Sequence, residues 1–190
     1  MSRTSQLNPR IVTIATLVSV VWGVSLVGFF NPNVKLNLAL IPRATDQWWG
    51  IFTNAFVHQD IPHLLANTAP LIVFLALLQI KGNRVFFTAV PLCLVLGALL
   101  LWCFGRGGAH LGASGLVFAL SGFLIANACF SRRATDFIIA LAVILGYWGL
   151  IGGLLPRDPT ISWDGHLAGV IGGIFASWWI SRQVAAARHL

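Results

Sequence analysis

Gly112-Ala113-Ser114-Gly115-Leu116-Val117-Phe118 opens an apolar run that continues to Phe130, and Asp164-Gly165-His166-Leu167-Ala168-Gly169 opens another that continues to Ile180. Both runs approach the roughly 20 residues needed to cross the hydrocarbon of a bilayer. One carries a hydroxyl at its start and the other an imidazole. Polar and ionisable groups are costly inside a membrane and mark functional sites there. A nucleophile and a base at the same depth point to hydrolysis within the membrane.

The rest of the chain agrees with a membrane setting. Of its 190 residues, 57% are hydrophobic and 9% charged, and there is no Glu. A soluble domain of this size carries about 25% charged residues. The formal charge of +7 would suggest nucleic acid in a soluble protein. In a membrane protein the basic residues must first be sorted by side. Cys93, Cys103 and Cys129 all fall in apolar runs, so they read as small core residues and not as a disulfide or metal framework.

Six apolar runs are visible: Ile11–Phe30, Pro62–Ile80, Val85–Phe104, Ser114–Phe130, Thr135–Leu155 and Gly165–Ile180. Lys81-Gly82-Asn83-Arg84 and Gly105-Arg106-Gly107-Gly108 separate neighbouring runs as turns. The first run has no clear small-residue cleavage site before Asn31, so it reads as a retained span and not a signal peptide. The expected fold is an all-α membrane protein, a six-transmembrane-helix bundle with a long outer loop between spans one and two. The expected organisation is a short cytoplasmic N-terminus over 1–10, one core over 11–182 and a short cytoplasmic C-terminus over 183–190. Six spans put both termini on one side. Arg3, Arg10, Lys81, Arg84, Arg132, Arg133, Arg182 and Arg188 fall there, against Lys35, Arg43, Arg106 and Arg157 on the other. That bias predicts cytoplasmic termini. The basic excess is then topological, and no nucleic-acid partner is expected. The loop from about Asn31 to Ile61 holds Trp48-Trp49 and Phe52, residues suited to the membrane interface.

With both ends inside, spans two, four and six start in the outer leaflet. His63 and Asn67, Ser114, and His166 open these three spans. Topology alone collects them within about two helical turns of the outer surface. Ser114 needs a base, and His166 is the natural one, since imidazole titrates near working pH. Asp164 is two residues from His166 and points to another helix face, so a Ser–His dyad without an acid is expected. Packing must then orient the imidazole, and Phe118, four residues after Ser114, could stack on it. An oxyanion hole is also required. The Ser114 backbone N–H at a helix start, with His63 and Asn67 at i, i+4, can supply the donors.

Small residues make close helix approach possible. Gly165, Gly169, Gly173 and Ser177 form a ridge on span six, and Gly115, Ala119, Gly122 and Ala126 a comparable surface on span four.

Three motifs in this order resemble the rhomboid family of intramembrane serine proteases: His63-Leu64-Leu65-Ala66-Asn67, Gly112-Ala113-Ser114-Gly115, and His166 followed by Gly169 and Gly173. Phe56-Val57-His58 also resembles the family. The likeness covers Ile11 to about Ile180. It implies Ser114 as nucleophile, His166 as general base, and an oxyanion hole of His63, Asn67 and the Ser114 backbone, with Gly112, Gly115, Phe118, Gly169 and Gly173 in support. It implies no metal or organic cofactor. The substrates it implies are other membrane proteins, cut in transmembrane or membrane-proximal segments that are helix-destabilised, usually at small residues. Two positions depart from the family: Gly50 follows Trp49 where Arg is common, and Gly165 stands where Ala is frequent.

Other classes fit the residues less well. A non-catalytic rhomboid-like client-binding protein would lack the Ser or the His. A metal or ion transporter could use His58, His63, His110 and His166, but they are scattered, and no acidic residue is placed inside a span to relay ions. His58 reads as a structural residue of the outer loop, and His110 as a cap or entrance residue. Substrate entry is expected beside span five, whose Gly146, Gly149, Gly152 and Gly153 permit adjustment. The expected location is a prokaryotic plasma membrane, with the site opening to the outer side.

Overall fold

The computed structural model describes residues 8–158 and 160–187. Arg3 and Arg188, which entered the charge count above, lie outside the described residues, as do parts of the two expected terminal segments. Among the described residues the chain is helical, and its one strand-like feature is an isolated antiparallel bridge between Leu40 and His110.

The long helices are α1 (Pro9–Phe30), α4 (Ile61–Gln79), α5 (Asn83–Phe104), α6 (Ser114–Ser131), α7 (Ala134–Gly146) and α8 (Trp163–Ala186). Their starts follow local chemistry. Asn8 caps α1 and Asp60 caps α4 through side-chain oxygens that accept backbone N–H groups of the first turn, and Pro occupies an early position in both. Between α1 and α4 the chain forms two short helices, α2 (Pro32–Leu38) and α3 (Gly50–Thr53), and 3-10 turns at Thr45–Gln47 and Asn54–Phe56.

Among the described residues, four helices are long and apolar enough to cross a membrane: α1, α4, α5 and α6. A fifth candidate is α7 together with a 3-10 segment, Trp148–Leu154, set at 68° to it. The single continuous run read from Thr135 to Leu155 is therefore corrected to a broken one, with the bend at Tyr147. The 24 residues of α8 suffice in length, yet it is not among the apolar candidates. Its reason is positional. α8 packs most extensively on α6 and then on α5, and most of its buried side is small or polar, with Gly165, His166, Gly169, Gly173 and Ser177 among the residues there.

That contact is a backbone interlock. A Cβ at Gly173 would overlap the Ala119 carbonyl oxygen, and one at Gly169 the Gly115 carbonyl oxygen. A Cβ at Gly122 would lie 2.6 Å from the Val170 oxygen. On the other side a Cβ at Gly172 would sit 2.6 Å from the Gly97 nitrogen. Small residues thus let α8 sit between α5 and α6 at separations that larger side chains forbid. The main core beside it includes Leu64, Phe74, Phe86, Phe123 and Leu124, all buried.

Two further expectations need correction. Cys93 is buried, but Cys103 and Cys129 are exposed; they lie on the outside of the bundle, where an apolar environment asks for the same polarity as a core. Asp136 lies inside α7 and is buried, so an acidic residue does stand within the fifth apolar run. It pairs with Lys81 and accepts a hydrogen bond from the Ser131 hydroxyl, which explains how a carboxylate is tolerated there.

Candidate active site

Gly112 creates the turn that starts α6. Its φ is +114°, a backbone state that favours glycine. A Cβ there would also lie 2.6 Å from the His63 ring, so the ring rests directly on the Gly112 backbone. The Gly112 N–H donates to the Asn54 carbonyl at 2.9 Å, and the Ala113 N–H donates to His58 Nε2 at 3.0 Å. His58 Nδ1–H then donates to Ser25 Oγ at 2.9 Å, and the Ser25 hydroxyl donates to the Phe56 carbonyl at 3.0 Å. This relay works only with a neutral imidazole. Burial, helped by the adjacent His63, pushes the His58 pKa down to about 3. His58 therefore fixes the turn in front of Ser114, in keeping with the structural part read for it.

Ser114 is the first residue of α6 and is half-buried. The first turn of a helix leaves its N–H groups without intrahelical partners. The Ala113 group is taken by His58, and those of Ser114 and its successors remain directed at the helix start. His63 and Asn67 lie on α4. The Asn67 amide donates to the His63 carbonyl at 3.0 Å, one turn back on its own helix.

His166 lies in the first turn of α8 and is buried. Its Nδ1 is 2.8 Å from the Gly153 carbonyl oxygen. A carbonyl can only accept, so Nδ1 carries the proton and Nε2 keeps its lone pair. Phe118 stacks on the ring with centroids 4.1 Å apart and planes 12° from parallel. Gly115 lies against Gly165 and Gly169, the residues that flank His166 by one and three positions. The interlock thus brings the starts of α6 and α8 together. The His166 ring bonds to Gly153 and not to the Ser114 hydroxyl in this arrangement; such bonds are often loose before substrate is bound.

Two contributors to the site escape a reading of the sequence. Gly153 reads as a point of flexibility, but a Cβ there would sit 3.0 Å from both His166 Nδ1 and Phe118 Cζ. Its lack of a side chain is what lets its carbonyl reach the imidazole. Ser25, in the second half of α1, carries no sequence signal. Asp164 is not expected to complete a triad, and the structure gives it other partners. It accepts from the Arg106 backbone N–H at 2.7 Å and pairs with the Arg106 guanidinium, which also lies over the Trp163 ring. His110 joins the same latch, with Nδ1 2.6 Å from Ser162 Oγ and Nε2 2.9 Å from the Arg106 carbonyl.

Gly50, at the position where the resemblance implies Arg, is explained by space. A Cβ there would overlap the Ala39 carbonyl oxygen and lie 2.8 Å from Leu40 Cα. The segment is held by other donors: Gln47 Nε2 reaches the Leu36 and Ala39 carbonyls at 2.7 and 3.0 Å, and Trp49 Nε1 the Asn37 carbonyl at 2.8 Å.

Apolar helices of membrane-spanning length, with a serine and a buried histidine at the starts of two interlocked helices, define an integral membrane protein of the helical-bundle class. The Rhomboid domain family model matches residues 45–183, and the chain belongs to the rhomboid family. It is similar to the uncharacterized protein Rv1337 of Mycobacterium tuberculosis, 33% identical over 94% of this chain and 78% of that protein. An uncharacterized protein of Mycobacterium leprae is 32% identical over 94% of this chain and 74% of its own length. The rhomboid protease GluP of Bacillus subtilis is 28% identical over 70% of this chain and 26% of its own length.

Proposed function

We propose that this rhomboid-family protein is an intramembrane serine endopeptidase that cleaves transmembrane or membrane-proximal segments of other membrane proteins. The observation that carries the reading is the His166 ring. It is held by the Gly153 carbonyl and the face of Phe118, with Nε2 free, beside the start of the helix that bears Ser114.

In this mechanism His166 Nε2 takes the Ser114 proton as Oγ attacks the scissile carbonyl carbon. Negative charge develops on the carbonyl oxygen, and the Ser114 N–H, His63 and Asn67 stabilise it. Asn67 must turn its amide from the His63 carbonyl toward the oxyanion. Removing one such donor costs about 100-fold or more in rate. The protonated His166 then gives its proton to the leaving amine, and an acyl-enzyme on Ser114 remains. Water, deprotonated by His166, attacks the ester and regenerates the hydroxyl. None of these steps calls for a metal or organic cofactor.

The same reading takes α8 as a sixth span, with 11–182 as the core and both termini in the cytoplasm of a prokaryotic cell. The site then opens to the outer side of the plasma membrane. Lys81, Arg84, Arg132, Arg133 and Arg182 gather at the end of the bundle opposite Ser114, which supports that orientation. Helix-destabilised substrates enter beside the bent segment that follows α7, because a helical backbone hides its amide bonds from attack.

An activity-based fluorophosphonate probe tests the reading on wild type, Ser114→Ala and His166→Ala in detergent. Labelling of the wild type alone, with cleavage of a reconstituted transmembrane substrate lost in both variants, is the expected outcome. Absence of labelling in folded wild type, repeated with an isocoumarin probe, would leave a non-catalytic client-binding protein as the better description. Substantial cleavage by Ser114→Ala would remove that residue as nucleophile.

A further inference from the structure

At the end of the bundle remote from Ser114, a cavity of about 110 Å³ lies between α6, α7 and the last turns of α8. Its polar wall includes Lys81, Asn127, Arg133, Asp136 and Ser181. The proposed proteolysis uses none of them.

Asn127 is the informative residue. It is 4% exposed, and its Nδ2 reaches Ser177 Oγ at 3.3 Å and Ser181 Oγ at 3.1 Å. Its Oδ1 is buried with no partner. A buried acceptor without a donor forfeits the hydrogen bond it would make to water, and Asn127 lines this cavity, so a donor that enters it satisfies the oxygen. Asp136 spends one oxygen on Lys81 and the other on Ser131, and its carboxylate retains further acceptor capacity. The Arg133 side chain is exposed and enters no ion pair among the described residues. The cavity thus offers acceptors in its wall and an unpaired cation beside it. Its remaining wall is apolar, with Val85, Val184 and the partly exposed Phe130.

We propose that this cavity holds the phosphoethanolamine headgroup of a membrane phospholipid. The ammonium donates to Asn127 Oδ1 and lies near Asp136, and the phosphate meets Arg133 at the mouth. The acyl chains leave over Phe130 toward the lipid face. The apolar rim selects a lipid over a free headgroup, and the orphaned acceptor selects a primary ammonium over a quaternary one, which has no N–H to give.

Native mass spectrometry of the detergent-solubilised full chain tests this with phosphatidylethanolamine and phosphatidylcholine of matched acyl chains. A charge-assisted hydrogen bond corresponds to about a tenfold preference. Phosphatidylethanolamine should be retained by that factor over phosphatidylcholine. Asn127→Leu should bring the ratio to one, while Asn127→Asp, which keeps an acceptor, should preserve the preference. Arg133→Gln should weaken both lipids together. Soluble phosphoethanolamine should not compete at concentrations where the lipid binds; competition would make the free headgroup the ligand. Equal retention of the two lipids by wild type, or a preference that survives in folded Asn127→Leu, would overturn the proposal and leave a water-filled cavity. Fluorophosphonate labelling of the same samples reports the Ser114 site separately, so failure of one assignment does not touch the other.

Discussion

The Gly153 carbonyl oxygen lies 2.8 Å from His166 Nδ1, and so occupies the place that a carboxylate fills in a three-membered serine protease site. A neutral backbone acceptor sets the tautomer without placing a buried charge beside the imidazole. Phe118 then fixes the ring plane. Orientation in this site comes from a peptide group and an aromatic face, and each supports a direct test.

Gly153→Ala places a methyl group where 3.0 Å separates the ideal Cβ from both His166 Nδ1 and Phe118 Cζ. The ring must shift or the bond to the carbonyl must lengthen. Misplacement of catalytic groups by about 1 Å costs on the order of 100-fold in rate. A fall of roughly that size in the fluorophosphonate labelling rate is expected, with the melting temperature little changed. An unaltered labelling rate would remove the carbonyl as an orienting group.

Asp164→Asn separates a structural acid from a catalytic one. Asp164 holds the Arg106 backbone and guanidinium, and the pair is partly exposed on the Arg106 side. The variant should lose a few degrees of thermal stability and keep its cleavage rate within about threefold. The comparable change in a true triad costs about 10,000-fold. A loss approaching that size would reinstate Asp164 as a third member.

His58 gives the protein a pH-dependent stability. Its folded pKa is depressed to about 3 from 6.5, so the unfolded chain binds the proton first as pH falls. The contribution is complete above about pH 6.5 and is lost progressively as pH drops toward 3. Asp60 opposes the shift and His63 adds to it. Thermal unfolding in detergent should therefore show a slope between pH 4 and 6.5 that is shallower in His58→Gln, whose amide does not titrate. Identical slopes would mean that the Ala113–His58–Ser25 relay does not set the acid limit.

Substrate entry can be tested where Phe74 on α4 meets Tyr147 at the bend after α7, with ring centroids 4.7 Å apart at 65°. Tyr147→Ala removes that contact. It should raise cleavage of a helical transmembrane substrate several-fold and leave labelling by a small probe unchanged. A disulfide tether across the same junction, in a background without Cys103 and Cys129, should block the helical substrate until reduced. Equal turnover with the tether closed would place the entrance elsewhere.

Much of this site is legible in the residues alone. His63, Ser114 and His166 each open an apolar run, and alternation of direction across a membrane carries such positions to one end of a bundle. The small residues of α6 and α8 announce their own contact through three- and four-residue spacing. What stays hidden has physical causes. The Gly153 acceptor is a main-chain atom, and no residue type encodes it. The bend at Tyr147 falls in a run as apolar as its neighbours, so hydropathy passes over it. Cys93 faces a core while Cys103 and Cys129 face outward, and oil on both sides makes those places look alike in sequence. Asp136 can be recognised as tolerable only with Lys81 and Ser131 beside it. The missing side chain at Gly50 reflects a close approach to Ala39 that chain spacing does not reveal.

The interlock of Gly173 with Ala119 and of Gly169 with Gly115 divides this molecule into two mechanical classes. The paired helices touch through main chain and have no slack, whereas Gly146, Gly149 and Gly152 beside the bend face open space. On the proposed function, the Ser114 and His166 pair belongs to the stiff half and substrate admission to the compliant half. If that function holds, changes around Tyr147 retune which clients are admitted and leave the geometry of the Ser114 and His166 pair untouched.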